Sequence, residues 1–481
     1  MEIQFILNGL RTRIVDPPAT LTILDYLREQ ARKLGTKEGC GQGDCGACSV
    51  AIARLDESGF LIYQSVNSCI RFVSALHGCA LITVDALGGA HPAQQALAQG
   101  YGSQCGFCTP GFVMSLVVAH ENSAQQAINR DAVLDAISGN LCRCTGYRPI
   151  VDAGLQMHEY SAPSAQWWQA DALKKLLQEL QLDCAAPMTL KEALTMRSAH
   201  PNAQVIAGCT DVGLWVTKQH VSFSQVIDVT QVPELAITLV RDDGALVIGA
   251  AVNLEDAFEA LAKHSPQAAV VRAYAHRFAG KPIRTSGTLG GNLANGSPIG
   301  DSMPLLLAMA ANVCLQSLAG RRELPLQDFY LGYKKTALAA DELLTHVVIP
   351  RQHPKSVLHA YKVSKRFEDD ISAVCLAVQL ILNDSIIEEA RIGVGAMAAI
   401  PMRAQAAEAA LKGQPLVQAS FEAARQALIN EFTPLSDMRA SAEYRQQVAG
   451  NLLLRCFAQQ RPSDSSKPSH VLDINASVDY E

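Results

Sequence analysis

The sequence lacks several features that would assign it to other classes of protein. None of its apolar stretches, residues 303–315 included, is long enough to span a bilayer. The N-terminus has neither the basic segment nor the apolar segment of a secretion signal. No block of basic residues occurs, and the net charge of −6 argues against nucleic acid as the main partner. We therefore expect a cytoplasmic protein that binds neither nucleic acid nor membrane.

Two further absences concern the fold. We find no internal repeat, and no Gly-x-Gly-x-x-Gly opens a predicted helix, so a Rossmann dinucleotide site is not indicated. The remaining composition, 49% hydrophobic and 18% charged, is that of a globular chain. A length of 481 residues predicts about two to four domains.

Cysteine, in contrast, is abundant. Fourteen cysteines occur in a chain for which we expect no export, which favours metal ligation or burial over disulfides. Eight of them form two groups, Cys40, Cys45, Cys48 and Cys69, and then Cys105, Cys108, Cys142 and Cys144. The first group has the Cys-x4-Cys-x2-Cys…Cys spacing of plant-type 2Fe–2S ferredoxins. The sequence therefore predicts a carrier of single electrons.

The loop around the first group strengthens this interpretation. A 2Fe–2S cluster is anionic and is stabilised by backbone N–H groups that point at its sulfur atoms. The glycines within residues 39–46 allow the backbone to wrap closely around such a cluster. The alternative is a zinc site, but zinc prefers pairs of the form Cys-x2–4-Cys, and this triplet fits that pattern poorly.

The second group is less diagnostic, because Cys-x2-Cys followed later by Cys-x-Cys also suits zinc. Cys108 directly precedes Thr109-Pro110, which we predict to cap and open a helix, and a helix N-terminus favours an anionic cluster. Two clusters in series also make more chemical sense than one cluster beside a zinc ion. We interpret the other six cysteines as core residues, namely Cys79, Cys184, Cys209, Cys314, Cys375 and Cys456.

The hydrophobic periodicity divides the chain into an α+β multidomain protein. Residues 1–86 are β-rich, with a hairpin turn at Asn8-Gly9 and a closing strand at 81–86. Residues 87–160 are helical, and 161–186 form a linker with one helix near 173–180. Residues 187–352 alternate strands with helices, and 353–460 form a final α+β unit. Residues 461–481 are a Ser- and Asp-rich tail.

Three cysteine segments carry a resemblance to a known family. They are EGCGQGDCGAC at residues 38–48, QCGFCTPG at 104–111 and GNLCRCTGY at 139–147. These segments closely resemble the molybdenum hydroxylase family, which includes xanthine dehydrogenases and aldehyde oxidases. The resemblance implies a plant-ferredoxin-like β-grasp domain and a four-helix domain, each with one 2Fe–2S cluster. It also implies that the helical-domain cluster, with Gln104 and Cys144, lies nearest the molybdopterin.

Glycine-rich turns later in the chain would alone be weak evidence for a phosphate site. Residues 205–212, 278–284, 288–292 and 297–301 together resemble the FAD-binding segments of the family's flavin domain, which is of the vanillyl-alcohol-oxidase or PCMH type. A C-terminal flavoprotein domain then follows. The resemblance assigns FAD contacts to Val205, Ile206, Ala207, Gly208, Cys209, Thr210, Asp211, Val212, Phe278, Thr288, Leu289, Gly290, Gly291, Asn292, Asp301, Leu344 and Lys362.

Two features near these segments bear on the flavin assignment. Cys209 stands where relatives often have glycine or asparagine, so the resemblance does not extend to the detailed contacts of that turn. The charged loop at residues 365–370 resembles one near the flavin ring that affects access of NAD. An ordinary solvated surface loop is the alternative interpretation of those charges.

Because no molybdopterin domain follows before residue 481, the resemblance implies the small subunit of a bacterial xanthine dehydrogenase. A molybdopterin-binding large subunit would be its partner, in a dimer of heterodimers. Electrons from purine oxidation would pass through two 2Fe–2S clusters to FAD and on to NAD+, and no substrate-binding catalytic residue is expected in this chain. The alternatives are the small subunit of another molybdenum hydroxylase that oxidises aldehydes or N-heterocycles, a stand-alone flavin–ferredoxin reductase with Gln104 and Cys144 in solvent, or a zinc-stabilised scaffold.

Overall fold

The structure, a computed structural model, describes residues 2–56, 58–163, 166–184, 188–367 and 369–460. The predicted tail at 461–481 and part of the predicted linker lie outside the described residues. Among the helices that the structure describes, none is both long and apolar enough to cross a membrane.

The N-terminal unit is a five-stranded sheet of order β2-β1-β5-β3-β4. Its strands are β1 (Glu2–Leu7), β2 (Leu10–Val15), β3 (Ser49–Leu55), β4 (Leu61–Asn67) and β5 (Ala80–Ile82), and α1 (Ile23–Asp25) continues into a π-helical turn at Tyr26–Gln30. Asn8 and Gly9 both have positive φ, which gives the predicted hairpin between β1 and β2. The predicted strand at 81–86 is wrong beyond Ile82, because Val84–Ala86 form a 3-10 turn.

Four helices follow, as predicted for the second unit. They are α2 (Pro92–Gln99), α3 (Thr109–Asn122), α4 (Arg130–Ala136) and α5 (Arg148–Gln156). Apolar residues of α3 such as Phe112 and Leu116 share one core with Ala51 and Ala53 of β3. The sheet therefore supports the helical unit directly, and the two cysteine groups are built on a common core.

The segment predicted as a linker contains α6 (Ala170–Asp183). Leu173, Leu177 and Leu180 fall on one face at helical spacing, and all three are buried in the core of the helical unit. This part of the chain is therefore packed onto the first two units rather than extended between units.

The third unit contains two sheets with helices around them. Its helices are α7 (Leu190–Ala199), α8 (Val212–Thr217), α9 (Leu254–His264), α10 (Ala268–His276), α11 (Lys281–Ser286), α12 (Leu289–Asn295) and α13 (Ser302–Ala308). Its strands are β6 (Gln204–Ile206), β7 (Val226–Asp228), β8 (Thr238–Val240), β9 (Leu246–Gly249), β10 (Asn312–Ser317), β11 (Gly320–Pro325), β12 (Tyr330–Gly332), β13 (Lys335–Thr336) and β14 (Leu343–Ile349). Strands β6 and β7 form a parallel pair, and the larger sheet has the order β11-β10-β14-β9-β8.

The last unit is an antiparallel sheet of order β15-β16-β17-β18. It comprises β15 (Ser356–Val363), β16 (Val374–Asn383), β17 (Ile386–Gly395), β18 (Met402–Arg403), α14 (Gln405–Leu411), α15 (Gln418–Glu431) and α16 (Ala442–Gln460). One face of the sheet packs on these three helices. Its other face meets α13, where Gly393 leaves no room for a Cβ because Pro304 O would lie 2.0 Å from it. The last two units are thus joined by close backbone packing.

Candidate functional site

The first cysteine group comes together as four adjacent sulfur atoms. Cys40 and Cys45 lie on the loop before β3, Cys48 directly precedes β3, and Cys69 follows β4. The Sγ atoms of Cys48 and Cys69 are 3.3 Å apart, and the Cys45 thiol donates to Cys40. Cys48 and Cys69 are buried, whereas Cys40 and Cys45 are half-buried. The arrangement supplies two pairs of thiolates, as a two-iron cluster requires.

The glycine loop surrounds this group with N–H donors. Cys40 Sγ accepts from the backbone N–H groups of Gln42, Asp44 and Cys45 at 3.4, 3.3 and 3.3 Å. Gly41 and Gly43 make this possible, because their φ values of +61° and +76° are left-handed. The hydrogen bond from the Cys45 thiol, together with the three backbone N–H groups, lowers the pKa of Cys40 to about 5, and the same thiol hydrogen bond raises the pKa of Cys45. The loop is therefore prepared to hold negative charge on sulfur, which is the environment of an iron–sulfur cluster.

The second cysteine group is assembled at the surface. Cys105 and Cys144 are exposed and share a hydrogen bond, and Cys108 and Cys142, which are half-buried, share another. Cys108 is the residue that precedes the first turn of α3, so the prediction that Thr109 caps this helix is wrong by one residue. The consequence for the site is small, since Cys108 still lies at the helix N-terminus.

Five of the six remaining cysteines are buried, as we predicted for core residues. They are Cys79, Cys209, Cys314, Cys375 and Cys456. Cys184 is only half-buried, because it follows the last turn of α6 at the edge of the first sheet, with its Sγ 3.9 Å from Gln4 O.

The two cysteine loops are hydrogen-bonded neighbours. Leu141, next to Cys142, donates its backbone N–H to the carbonyl of Cys45 at 3.0 Å. The Asn140 side chain donates to Gly46 O at 3.0 Å. The contact is tight, because a Cβ added at Gly46 would lie 2.2 Å from Gly139 O. The two predicted cluster sites are therefore in direct protein contact.

A cavity of about 610 Å³ lies in the third unit and reaches the last one. Its size is within the range of small-molecule and cofactor sites. Sixteen of the seventeen residues that the resemblance assigned to FAD line it, namely Val205, Ile206, Ala207, Gly208, Cys209, Thr210, Asp211, Val212, Phe278, Thr288, Gly290, Gly291, Asn292, Asp301, Leu344 and Lys362. The exception is Leu289, which is fully buried in the core of the third unit.

The loop between β6 and α8 offers unused N–H groups to the cavity. Within the described residues, the backbone N–H groups of 208–212 donate to no protein acceptor. Cys209 has a φ of +61°, which explains why glycine or asparagine suits this turn. A row of unpaired N–H groups beside a cavity fits an anionic pyrophosphate, and the chemistry of this loop therefore suits FAD.

The second glycine segment is built differently. Leu289 and Gly290 donate their N–H groups to carbonyl oxygens of Val252 and Ala250 at 3.0 and 3.1 Å. Gly291 donates to Thr288 Oγ1 at 3.0 Å. A Cβ at Gly290 would lie 2.4 Å from that of Ala250. These glycines therefore allow close packing of the cavity wall, and the N–H groups of 289–291 are not available to a phosphate.

A buried ion pair forms another part of the wall. Lys362 Nζ lies 2.8 Å from Asp301 Oδ2 and donates to Arg277 O at 2.7 Å. The Ser372 hydroxyl donates to the other oxygen of Asp301. The pair is buried and fully hydrogen-bonded, which a buried charge requires. Its two side chains are thereby held in one orientation toward the cavity.

The cavity also touches the first cysteine group. Ile283 of α11 lines the cavity and packs on Ile70, which contacts Cys48 and Cys69. Ile70 and Ile283 both reach the space beside Gly43 on the cysteine loop, with Cδ1 atoms 2.5 and 3.2 Å from where a Cβ would be. Sequence reasoning missed Ile283, because an apolar residue on a short helix carries no chemical signal.

A second contact joins the same two sites. Asp369, which lines the cavity, accepts the backbone N–H of Gly280 at 3.1 Å and lies against Asp44 of the cysteine loop. Burial and the neighbouring Asp44 raise the pKa of Asp369 to about 7. Lys218 at the end of α8 donates to the carbonyl of Cys40 at 2.5 Å. The flavin-type cavity and the first cysteine group thus share one wall.

Four protein-family profiles match consecutive parts of the chain. A 2Fe–2S iron–sulfur cluster binding domain matches residues 5–73, and a 2Fe–2S binding domain matches 83–155. The FAD binding domain of molybdopterin dehydrogenase matches 178–352, and the C-terminal domain of the CO dehydrogenase flavoprotein matches 359–460. Together with the sheets and helices described above, these matches confirm the predicted fold class.

Curated relatives and solved structures agree with these profiles. Xanthine dehydrogenase of Drosophila pseudoobscura pseudoobscura is 32% identical over 95% of this chain, which spans 39% of that protein. One chain of the carbon monoxide dehydrogenase from Hydrogenophaga pseudoflava is 26% identical with a TM-score of 0.52, over 56% of this chain and 93% of that one. Quinoline 2-oxidoreductase from Pseudomonas putida 86 is 25% identical with a TM-score of 0.52, over 57% and 94%. The chain therefore belongs to the molybdenum hydroxylase family and carries that family's 2Fe–2S and flavin domains.

Proposed function

We propose that the chain is the electron-transfer subunit of a xanthine dehydrogenase. A molybdopterin-binding partner subunit oxidises hypoxanthine and xanthine, and the electrons leave through this chain to NAD+. The chain spans about two fifths of the curated xanthine dehydrogenases that it matches.

The observation that carries the proposal is the shared wall between the first cysteine group and the cavity. Ile70 and Ile283 contact each other across it, so electrons reach the cavity through the first group. The second group is hydrogen-bonded to the first through Leu141 and Cys45, and it lies at the surface. The order that this geometry supports is partner, second group, first group and then flavin.

We infer that the eight cysteines of the two groups hold the two 2Fe–2S clusters and that the sixteen cavity-lining residues listed above hold FAD. When bound, 2Fe–2S clusters carry single electrons at potentials on the order of −400 mV, and FAD collects two electrons so that a hydride passes to NAD+. The unpaired N–H groups of residues 208–212 orient the pyrophosphate. Asp301 and Lys362 would hold each other in place in the cavity wall through their ion pair.

The surface around the second group is suited to a partner subunit. Tyr101, Phe107 and Leu141 are large apolar side chains that are 84%, 49% and 39% exposed. Gln104 and Cys144 are exposed beside them. Apolar and aromatic residues around an electron entry point support docking of the partner subunit here. The stand-alone reductase alternative also expects Gln104 and Cys144 in solvent, so the partner itself must be tested.

A second candidate reaction has one observation in its favour. The similarity to quinoline 2-oxidoreductase supports oxidation of another N-heterocycle by the partner subunit. The xanthine reaction is favoured because a single xanthine dehydrogenase chain aligns with 95% of this chain, whereas the matched chain of the quinoline enzyme, itself covered to 94%, aligns with 57% of it.

The test begins with the full chain expressed together with the genes that flank its own. We expect about four irons and one flavin per chain, because each of two clusters contains two irons. A larger chain that contains molybdenum should co-purify, and the complex should reduce NAD+ with xanthine. A chain that contains zinc and no flavin, or a complete reductase with no partner, would overturn the proposal. Turnover of quinoline but not xanthine would favour the second candidate.

A further inference from the structure

A network of four charges around a buried arginine joins the helical unit to the flavin unit, and its other three members are half-buried. Arg284 of α11 is only 1% exposed. Its guanidinium donates to Glu255 Oε2 at 2.7 Å and to a carboxylate oxygen of Asp135. It also donates to the carbonyl oxygens of Phe278 and Ala279 at 3.2 and 2.9 Å. A guanidinium offers five N–H donors, so this side chain uses most of its capacity within the network.

Lys281 completes the network. Its ammonium lies 2.9 Å from Asp135 Oδ2 and also contacts Glu255. The two cations Lys281 and Arg284 therefore face two carboxylates, and His276 lies 3.8 Å from Asp135 at the exposed side of the network. Asp135 belongs to α4 of the helical unit, and the other three residues belong to the flavin unit. A buried charge that loses its partner is costly, so this network resists separation of the two units.

The short helix α11 contacts every part of the proposed relay. Its Pro282 packs on Gly139, which lies between α4 and Cys142. Its Thr285 hydroxyl donates to Ser65 O of β4 at 2.6 Å. Its Ile283 lines the cavity and packs on Ile70 beside the first cysteine group. This helix of six residues therefore touches the helical unit, the ferredoxin-like sheet and the flavin cavity.

We propose that Arg284 is a positioning residue for electron transfer between the first cluster and the flavin. Through Asp135 and Glu255 it holds α11, and thereby Ile283, at a fixed place between the two cofactors. When both cofactors are bound, the step that Arg284 would support is the transfer of one electron between the flavin and the first cluster. The inference rests on the proposed function, because it needs the cluster and FAD to occupy the sites described above.

The geometry distinguishes this role from a general contribution to stability. Other ion pairs of the flavin unit, such as Arg272 with Glu259, join neighbouring surface helices and contact no cluster-binding unit. Arg272 also pairs its guanidinium with carboxylate oxygens at 2.8 Å, but both oxygens belong to a single residue, and the two side chains are 47% and 41% exposed. Arg272 therefore offers a matched control for Arg284.

The experiment uses the full chain with its cofactors and compares Arg284→Met with Arg272→Met. A flash-generated deazaflavin radical supplies one electron, and optical spectroscopy follows its redistribution between flavin and clusters. We expect the redistribution in Arg284→Met to slow by about tenfold to a hundredfold, because a displacement of about 1 Å far from the chemistry can cost about a hundredfold. Arg272→Met should keep the wild-type rate.

Two more variants distinguish a slower electron transfer from a loss of folding. Asp135→Asn keeps the shape of the side chain and should slow redistribution as well, and combining it with Arg284→Met should add little. Arg284→Lys keeps one positive charge and should recover part of the rate. An unchanged rate in cofactor-loaded Arg284→Met or in Asp135→Asn would overturn the inference, whereas wild-type protein without iron or flavin would overturn the proposed function instead.

Discussion

The two cysteine groups have the same ligands in opposite surroundings. In the first group Cys48 and Cys69 are 1% and 3% exposed, and a glycine loop surrounds Cys40 with N–H donors. In the second group Cys105 and Cys144 are exposed. The first group has two buried and two half-buried cysteines and is placed to exchange electrons with its protein neighbours, whereas the two exposed cysteines of the second group are open to another molecule. We therefore propose that ligand spacing determines the cofactor and that burial determines its place in the electron path.

The largest expected effect comes from removing one ligand of each group. Cys69→Ser and Cys144→Ser should each lower the iron content from about four to about two per chain. Cys69→Ser should in addition cost about 2 kcal/mol, because it leaves a buried hydroxyl beside Ile70 and the flavin cavity. Iron analysis and thermal melting measure both effects. Equal loss of stability in the two variants would contradict the difference in burial between Cys69 and Cys144.

The glycines of the two cysteine loops provide a second comparison between the two groups. Gly46 has a φ of +67°, and a Cβ there would lie 2.2 Å from Gly139 O, so Gly46→Ala should destabilise the chain by about 3 kcal/mol. Gly106 in the second loop has a φ of +82° with nothing within 4 Å of its Cβ position, so Gly106→Ala should cost about 1–2 kcal/mol. Chemical denaturation of both variants gives the difference. Gly46→Ala should be the more destabilising of the two substitutions, and the reverse order would contradict the difference in packing between the two loops.

The stability of the chain should depend on pH through Asp369, which lies in the wall between the first cysteine group and the flavin cavity. Asp369 has a pKa of about 7 in the folded protein, against about 3.9 in an unfolded chain. Between these values the folded state binds the extra proton, so the free energy of unfolding falls as the pH rises. We expect the free energy of unfolding to fall by about 2–3 kcal/mol from pH 5 to pH 8, and we expect Asp369→Asn to remove this fall. Denaturant titrations at both pH values measure it, and an identical slope in the variant would refute the assignment.

The smallest effect on the isolated chain should come from the surface beside the second group. Tyr101→Ser should leave iron, flavin and stability unchanged within about 0.5 kcal/mol, because Tyr101 is 84% exposed. It should weaken binding of the molybdenum subunit by about tenfold or more, as loss of an interface tyrosine does. Tyr333→Ser is the control, since Tyr333 is a comparably exposed tyrosine on the turn between β12 and β13. Equal affinities by light scattering or calorimetry would argue against this docking surface.

The parts of the molecule that local chemistry determines were accessible from the sequence. Thiolate ligands and the glycines between them lie within a few residues of one another, so the first cysteine loop could be predicted with its N–H donors. The hairpin at Asn8 and Gly9 followed from a turn signal, and the helical character of the second unit followed from periodicity, whereas its four-helix architecture came from the resemblance. The FAD-contact residues came from the resemblance, and the cavity brings sixteen of them together.

The parts that depend on packing between units were not accessible. Nothing in the sequence shows that α6 packs on the first two units or that Ile283 touches both a cysteine loop and the cavity. The glycines at 290 and 291 also look like those of a phosphate loop, but their N–H groups are used by Ala250 and Thr288. A glycine needed for close packing and one needed for ligand binding have the same signature until their neighbours are known.

Electron paramagnetic resonance of the dithionite-reduced full chain is the most direct test of whether the two cysteine groups hold two 2Fe–2S clusters. We predict two distinct 2Fe–2S signals of about one spin each, since each reduced cluster carries one unpaired electron. Cys144→Ser should remove one signal and Cys69→Ser the other. A spectrum with a single signal, or with none in protein that was isolated without oxygen, would contradict the account.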